Sequence, residues 1–171
     1  MKGGIQFKYC PNCGNSSLTW DGEKRWDCGK CEFRLYHNCA AAVAILIRYQ
    51  DEILVTQRNQ EPGKGLLDLP GGFVDPNESA QEACCREVRE ELNIELDTNS
   101  LQIIDSRPND YPYKGILYHT LDLFVEYKVS EKPESTIDPH EIHSVEWVNL
   151  HKLDLSKWAF ESQKEFLRSY K

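Results

Sequence analysis

The sequence contains no long hydrophobic run. Its longest apolar stretch, residues 40–47, has the length of a β-strand, whereas a membrane-spanning helix needs roughly 20 apolar residues. Residues 1–8 carry charge but lack the apolar core of a secretory signal. Internal repeats and low-complexity tracts are also absent. We therefore expect a cytoplasmic protein with no membrane partner.

Positive charge is scarce as well. The chain has 20 lysines and arginines against 28 aspartates and glutamates, a formal net charge of −8. Such an acidic chain argues against broad binding of a nucleic-acid backbone. The first 36 residues have six basic and four acidic side chains, a difference of +2 that is too small to require nucleic acid. A small anionic substrate would instead need bound cations.

Cysteine is well represented. Four of the seven cysteines form two Cys-x-x-Cys pairs, Cys10/Cys13 and Cys28/Cys31, with glycine after or between the cysteines and 14 residues between the pairs. In a reducing compartment this pattern indicates metal before disulfide. Four thiolates at the tips of tight turns close a tetrahedral structural zinc site. A dithiol redox centre is the alternative.

A change of composition near Asn38 divides the chain into two predicted domains. Residues 1–36 are rich in cysteine, glycine and turn residues, and they are predicted to form a zinc ribbon stabilised mainly by Zn²⁺. Residues 40–171 alternate strand and helix signals, which is typical of an α/β domain. Three further cysteines lack partners at ligand spacing and are expected in the core: Cys39, Cys84 and Cys85.

Hydrophobic patterning predicts the elements of the second domain. Residues 42–48 and 53–57 indicate a β-hairpin, and residues 59–70 a loop. Residues 75–78 resemble a helix N-terminus, and the helix should run to Leu92 and end at Asn93. Strands are predicted over 101–106, 116–129 and 145–148 with breaks at Pro108 and Pro112, followed by a helix over 156–169 with Trp158, Phe160, Phe166 and Leu167 buried.

The central helix carries a cluster of carboxylates. At about 100° per residue, Glu87, Glu90 and Glu91 fall on one face of the helix. Like charges at these spacings repel one another, so a cation between them would stabilise the arrangement. Oxygen ligands from a few carboxylates are what Mg²⁺ prefers, and Arg86 can fix a carboxylate by a bidentate contact. A solvated acidic helix face is the alternative interpretation.

The whole string around this helix resembles the Nudix box, with Asn93 in place of the usual glycine. The matching positions are Gly72, Glu78, Arg86, Glu87, Val88, Glu90, Glu91 and Ile94. The resemblance implies a Nudix α/β/α sandwich with a mixed sheet and hydrolysis of a pyrophosphate linkage with Mg²⁺ or Mn²⁺. It also implies metal ligands and catalytic roles for Glu87, Glu90, Glu91 and the Gly71 carbonyl, with Arg86 orienting the acids and Glu78 as a supporting residue or base.

A zinc ribbon before a Nudix domain is similar to the NADH pyrophosphatase branch of the family. The segment 106–112 matches that branch at Ser106, Pro108 and Pro112, while Asn109 and Asp110 replace a tryptophan and a proline. The resemblance implies a nucleoside diphosphate derivative of the NADH or ADP-ribose type as substrate. It also implies a late loop carboxylate, Glu141, that assists the metal or water, and a homodimer as one expected assembly.

Four side chains are candidates for binding the substrate. Arg58 at the end of a strand could meet a phosphate, and Phe73, Tyr111 and Tyr113 could face a base. The prolines of the 106–113 segment should hold it as an irregular rigid loop beside the pocket. The alternatives are a solvated arginine and aromatic core residues. A nucleotide-sensing regulator or a zinc-ribbon binding module is the rival function, although a pure sensor would not need all four charged residues of the box.

Overall fold

The computed structural model describes residues 7–170. Its N-terminal part is a three-stranded antiparallel sheet of β1 (Leu18–Trp20), β2 (Arg25–Cys28) and β3 (Arg34–Tyr36). Both Cys-x-x-Cys pairs lie in tight turns at one end of this small sheet, where Gly14 adopts a φ of 68° and Glu32 a φ of 57°. The predicted domain limits at residues 1 and 171 lie outside the described residues.

The larger sheet is mixed. Its strands are β4 (Ala40–Tyr49), β5 (Glu52–Arg58), β6 (Leu67–Asp68), β7 (Gln102–Tyr113), β8 (Ile116–Lys128) and β9 (Ile142–Asn149). The order is β6-β5-β4-β8-β7, with β9 also paired to β5. The β4–β8 pair is parallel and the other pairs are antiparallel. The predicted hairpin is confirmed as β4 and β5, while the predicted 59–70 loop also contains β6.

Helix α1 (Ala80–Leu92) begins later than the sequence predicts. Its N-cap is Ser79, whose hydroxyl accepts a hydrogen bond from the Glu82 amide while the Glu82 carboxylate accepts one from the Ser79 amide. This capping box satisfies two free amides of the first turn, so the helix starts there and not at residues 75–78. Its C-terminal end is as predicted, with Asn93 in the left-handed conformation.

Helix α2 (Glu161–Ser169) is shorter than predicted. Residues Leu155–Lys157 form a separate 3₁₀ helix, and Thr98–Ser100 and Leu150–Lys152 form two more. Trp158, Phe166 and Leu167 are buried as expected, but Phe160 is only partly buried. It precedes the first turn of α2 and reaches the rim of a cavity, which explains why the helical pattern does not place it correctly.

The two helices cover opposite faces of the larger sheet. On one face, Val43, Ile45 and Ile47 of β4 pack with Val88 and Leu92 of α1, and Cys84 is buried among them. On the other, α2 is packed against the alternate residues of the same strands, namely Ala44, Leu46, Ile53, Val55 and Phe124. Because successive side chains of a strand point to opposite faces, each strand contributes residues to both hydrophobic cores. The predicted α/β/α sandwich with a mixed sheet is confirmed.

A gap in the sheet next to β4 holds the glycine pair. Strand β4 pairs with β5 only near their turn, and beyond it the segment 70–74 lies alongside β4. There the Ile45 and Val43 amides donate hydrogen bonds to the Pro70 and Gly72 carbonyls. A Cβ atom on Gly71, which has a φ of 147°, would lie 2.1 Å from the Val43 carbonyl oxygen, so only glycine fits this close approach.

Strand β7 runs straight through two predicted breaks. Pro108 and Pro112 both lie inside this strand, opposite Leu121 and Leu117 of β8, so the predicted irregular loop over residues 106–113 is wrong. The physical reason is the position of β7 at the edge of the sheet, where a missing backbone N–H leaves no ladder partner unsatisfied.

Two further predictions concern the cysteines outside the quartet and membrane-spanning helices. Cys39 is exposed and is therefore not a core residue, whereas Cys84 is buried and Cys85 is partly buried. Cys39 directly precedes β4 and lies outside both hydrophobic clusters. Within residues 7–170, the structure contains no helix that is long and apolar enough to span a membrane.

Candidate functional site

One cleft of about 430 Å³ gathers the side chains that the sequence singled out. It lies where the end of β5, the glycine segment and α1 meet the tip of the β7–β8 hairpin. Of the residues predicted to act in hydrolysis or to bind substrate, only Glu78 does not line it, and its carboxylate is bound to Arg86 instead. The predicted residues that line the cleft are Arg58, Gly71, Phe73, Arg86, Glu87, Glu90, Glu91, Tyr111, Tyr113 and Glu141.

Arg86 organises the acidic side of the cleft. Its Nε and Nη2 atoms donate hydrogen bonds of 2.9 Å to the two oxygens of Glu78, a bidentate pair. Its Nη1 atom donates to Glu87 Oε1 at 2.7 Å and to Glu90 Oε2 at 3.2 Å. The Arg86 guanidinium lowers the pKa of Glu78, as does the Asp75 backbone amide. One guanidinium therefore holds three carboxylates in fixed positions.

Glu91 is the most buried acid of the cleft. Only 7% of the residue is exposed, and its Oε2 atom accepts a hydrogen bond of 3.2 Å from the Gly71 amide. Burial raises the pKa of Glu91 well above its usual range, and the neighbouring Asp68, Glu87 and Glu141 carboxylates add to the effect. No arginine or lysine forms an ion pair with Glu91 within residues 7–170. A buried acid in this state would be stabilised by a cation.

Glu87 lies between Arg86 and the glycine segment. Burial raises its pKa, while the hydrogen bond from Arg86 opposes that shift. A Cβ atom on Gly72 would come within 2.5 Å of Glu87 Oε1, so a side chain at that position would displace the carboxylate. The absence of a side chain at Gly72 thus lets Glu87 reach the cleft.

The carboxylates converge on the cleft without forming a compact cage. Among the described residues, the four cysteines are the one group of three or more ligand atoms within 4.8 Å of one another. Glu90 is 57% exposed at its side chain, and Glu141 is exposed on the segment before β9. Separate single oxygens suit Mg²⁺ or Mn²⁺, because such ions keep several waters and take the remaining ligands from substrate phosphates.

The Arg58 guanidinium is held in place by Asp68, a buried carboxylate that also bonds to Gln163. Its Nη1 atom forms an ion pair of 2.5 Å with Asp68 Oδ2, and its Nε atom donates to the Pro62 carbonyl at 2.7 Å. The other Asp68 oxygen accepts a hydrogen bond from Gln163 of α2. The alternative of a freely solvated Arg58 is therefore wrong, because these contacts fix the guanidinium at the edge of the cleft.

Aromatic rings form the opposite wall. Tyr111 lies 5.6 Å from Phe73, 6.2 Å from Tyr113 and 5.6 Å from Phe160, measured between ring centroids. Phe160 also packs beneath the Arg58 guanidinium at 5.0 Å. Phe73 is 40% exposed and Tyr111 is half-buried, so neither is a simple core residue. Flat apolar faces beside charged groups are suited to a base or ribose.

The cysteine quartet has the dimensions of a zinc site. The Cys10 and Cys31 sulfurs lie 3.7 Å apart, and those of Cys13 and Cys28 lie 3.8 Å apart. A tetrahedral site with zinc–sulfur bonds of about 2.3 Å has sulfur–sulfur edges of about 3.8 Å. All four thiols are free, so disulfides do not explain the cluster. The residues present therefore fit a four-coordinate Zn²⁺ ion.

At two of the four cysteines, hydrogen bonds to sulfur favour the thiolate form that binds metal. The Lys30 amide, the Ser17 hydroxyl and the Cys31 amide lower the pKa of Cys28 to about 6. The Asn12 side chain and the Phe33 amide lower the pKa of Cys31. Since the thiolate is the metal ligand, these donors prepare two of the four positions.

Aromatic rings connect the small sheet to the larger one. The Trp26 ring lies 4.3 Å from Trp20 and 5.5 Å from His37, and His37 lies 5.7 Å from His119 of β8. The His119 Nδ1 atom is 2.8 Å from Asp110. The small sheet therefore packs beside the β7–β8 hairpin through His37, at the end of the sheet away from Cys28. The tip of that hairpin contributes Tyr111 and Tyr113 to the cleft.

Three residues near the cleft were missed from the sequence. Asp68 and Gln163 come from distant parts of the chain, and no motif joins them. Asp122 could have been predicted as a functional candidate from the strand pattern. It shares a strand face with buried Thr120 and Phe124, and an acid in such a position is unusual.

The fold and cleft define an α/β protein with an arginine-organised carboxylate site. The family model for the NUDIX domain matches residues 37–170. The chain therefore belongs to the Nudix family.

Curated relatives point to one branch of that family. The chain is 31% identical to the NAD-capped RNA hydrolase NudC of Pseudomonas fluorescens over 151 residues, which cover 86% of this chain and 50% of that protein. It is 30% identical to NudC of Photorhabdus laumondii over 148 residues, which cover 86% of this chain and 54% of that protein. The chain spans about half the length of the curated relatives it matches.

Solved structures agree on the fold. A MutT Nudix hydrolase from Burkholderia pseudomallei matches with a TM-score of 0.67 and 22% identity, covering 78% of this chain and 99% of that one. A bifunctional NMN adenylyltransferase/ADP ribose pyrophosphatase from Francisella tularensis, complexed with AMP and a manganese ion, matches with a TM-score of 0.59 and 26% identity. That match covers 77% of this chain and 41% of the other.

Proposed function

We propose that this protein is a metal-dependent pyrophosphohydrolase that cleaves a nucleoside diphosphate derivative of the NADH or ADP-ribose type. The observation that carries the proposal is the arrangement of the cleft. Arg86 fixes Glu78, Glu87 and Glu90, while buried Glu91 forms no ion pair within residues 7–170. A sensor of nucleotides would not need three carboxylates held by one arginine beside a buried acid.

The residues divide the chemistry among them. Glu87, Glu90, Glu91 and the Gly71 carbonyl would hold Mg²⁺ or Mn²⁺. These ions neutralise developing phosphoryl charge and lower the pKa of bound water. Arg86 positions the carboxylates, and Glu141, on the exposed side of the cleft, can accept a proton from water. Glu78 acts through Arg86, to which it is bound, and so has a supporting role.

Support for the substrate class comes from the cleft and from its relatives. Arg58 can meet a phosphate while the aromatic wall meets a ring on one side of the pyrophosphate. The relatives are described as hydrolases of NAD-capped RNA and as an ADP ribose pyrophosphatase. Both descriptions concern molecules with groups on each side of a pyrophosphate, which is the class proposed for this chain.

The N-terminal unit is proposed to be a structural zinc ribbon over residues 1–36, distinct from a catalytic domain over residues 40–171. Sulfur distances that match a tetrahedron support Zn²⁺ there. Free thiols and a zinc site suit a reducing cytoplasm. Its +2 charge difference gives no reason to assign it nucleic acid as a partner.

The test of the proposal is a substrate screen with purified full-length protein. NADH, ADP-ribose, diadenosine polyphosphates and nucleoside triphosphates are each incubated with Mg²⁺ or Mn²⁺, and products are separated by chromatography. We expect cleavage of the pyrophosphate in NADH or ADP-ribose and no turnover in excess EDTA. Metal-independent turnover, or a higher kcat/KM for nucleoside triphosphates than for every two-sided substrate, would contradict the proposal.

Replacing Tyr111 and Tyr113 together with alanine should weaken substrate binding. Stacking of a base on an aromatic ring contributes about 1–3 kcal/mol, so KM should rise about tenfold. Stacking acts similarly on the ground and transition states, so kcat should fall much less. Both tyrosines belong to strand β7 and not to an irregular loop.

The matched control keeps the rings. The double change to phenylalanine should retain the wild-type KM, and Tyr36→Ala on the ribbon should also leave it unchanged. Steady-state kinetics at fixed metal concentration gives both constants. An unchanged KM in the double alanine variant would show that the rings do not contact substrate.

A further inference from the structure

Asp122 is a buried carboxylate that the proposed hydrolysis does not use. It is 7% exposed and lies on the face of β8 that α2 covers. Its two oxygens accept hydrogen bonds of 2.6 Å from the hydroxyls of Thr120 and Ser162. Among the ion pairs formed within residues 7–170, none includes Asp122.

The other buried carboxylates, unlike Asp122, have a cationic side chain or a proposed metal site beside them. Asp68 is paired with Arg58, and Glu126 lies 3.1 Å from Lys128. Glu91 faces the cleft in which a divalent cation is proposed. Burying an ionised carboxylate without a cation is costly. Within residues 7–170, the hydrogen-bond partners of Asp122 are hydroxyls alone. Arg107 lies opposite it on β7, but the Arg107 guanidinium bonds to Asp105 and Ser169 instead, so Asp122 keeps acceptor sites for a ligand.

Asp122 lines a cavity that joins the catalytic cleft. Asp122 lies on the wall of the inner space, and the two spaces share five residues: Arg58, Gly71, Gly72, Phe73 and Tyr111. Aromatic rings bound this cavity, and small alanines of β4 form another part of its wall. If the flat ring of a ligand bound there, the phosphates attached to it would extend toward Arg58 and the carboxylates of the cleft.

The unused lone pairs of the Asp122 carboxylate indicate which kind of ring could bind there. A carboxylate offers about four lone-pair sites, and the two hydroxyls occupy only one on each oxygen. The remaining sites can only accept, so the partner must donate. Among the described residues, the one other carboxylate on the wall of this cavity is Asp68, which is already paired with Arg58, so a metal would find too few free ligands there.

We propose that Asp122 is a specificity-determining residue that accepts a hydrogen bond from the amino group of the ligand's heteroaromatic ring. The exocyclic amine of adenine and the carboxamide of nicotinamide share this chemistry. Thr120 and Ser162 are positioning residues that fix the carboxylate. This inference rests on the proposed function in one respect, since it places the ring beside the cleft that holds the pyrophosphate.

Binding of mononucleotides to the full-length protein tests the inference without hydrolysis. Isothermal titration compares AMP with inosine monophosphate, which lacks the amino group, and nicotinamide mononucleotide with its nicotinate analogue. A hydrogen bond to a charged group is worth about 1.5–3 kcal/mol, so the amino ligand of one pair should bind about 10- to 100-fold tighter. The pair that shows the preference identifies the ring.

Asp122→Asn should remove that preference, because the amide can donate as well as accept. Asp51→Asn, in the turn between β4 and β5, removes the same charge far from the cavity and should preserve it. Ser162→Ala should reduce the preference partially, and it serves as a second variant should Asp122→Asn fail to fold. The melting temperature of Asp122→Asn should equal or exceed that of wild type, since a buried charge is relieved.

Equal binding within both ligand pairs by the wild type would overturn the inference, as would an unchanged preference in Asp122→Asn. Absence of hydrolysis is a separate result. If amino-group discrimination persists in a protein that cleaves no pyrophosphate, the proposed reaction fails while the role of Asp122 stands. If hydrolysis occurs without discrimination, the reaction stands and the role of Asp122 fails.

Discussion

Glu91→Gln should abolish most of the hydrolysis while leaving the fold intact. The change keeps the volume of the side chain but removes the charge that would bind the metal. Metal ions contribute several kcal/mol to stabilising the transition state, so kcat/KM should fall by at least about 100-fold. The Gly71 amide can still donate to the amide oxygen of the substituted side chain, so the neighbouring segment should keep its position.

Stability measurements separate this effect from unfolding. Because burial raises the pKa of Glu91, a neutral amide should leave the melting temperature of the metal-free protein unchanged or higher. Wild type should gain more thermal stability from added Mn²⁺ than the variant does. Glu95→Gln removes an equal charge at an exposed position and should retain full activity. Full activity in Glu91→Gln would remove Glu91 from the proposed metal site.

Cys10→Ser should release the zinc ion and unfold the ribbon. Cys10 is 1% exposed and its sulfur is one of four within 4.8 Å of one another. Zinc binding is worth about 10–16 kcal/mol in small zinc domains, far more than the apolar surface of so short a segment can supply. Elemental analysis should show about one zinc per chain in the wild type and almost none in the variant.

Cys39→Ser is the matched control for the zinc site. Cys39 is exposed, lies outside the quartet and should tolerate the change without loss of metal. Near-ultraviolet circular dichroism reports on the ribbon through Trp20 and Trp26, whose rings lie 4.3 Å apart. Cys10→Ser should lose this signal and retain a cooperative thermal transition from the larger domain. Zinc-free wild-type protein with the same spectrum would contradict the assignment.

Local features of the sequence predicted the parts of the site that lie close together in the chain. The helical period places Glu87, Glu90 and Glu91 on one face, and Arg86 lies within reach of them because helix neighbours are separated by one turn or less. Asn93 ends the helix for a reason that is also local, its tolerance of the left-handed conformation. Of these residues, Glu91 is the one whose role the Glu91→Gln variant tests.

Contacts between distant segments could not be predicted in the same way. Arg58, Asp68 and Gln163 form one polar cluster, yet they come from two strands and a helix that only the packing brings together. The strand through Pro108 and Pro112 likewise depends on the tertiary structure. Proline disfavours a strand in general, and only the position of β7 at the sheet edge makes it acceptable.

The sequence by itself therefore determined the helix of the Nudix box and the cysteine pattern for which zinc is proposed, because each depends on spacing along the chain. The tertiary structure decided the burial of Glu91, the support of Arg58 and the cavity beside Asp122. Burial and desolvation depend on which elements pack over a side chain, and the linear pattern specifies a face of a strand or helix without specifying what will cover it.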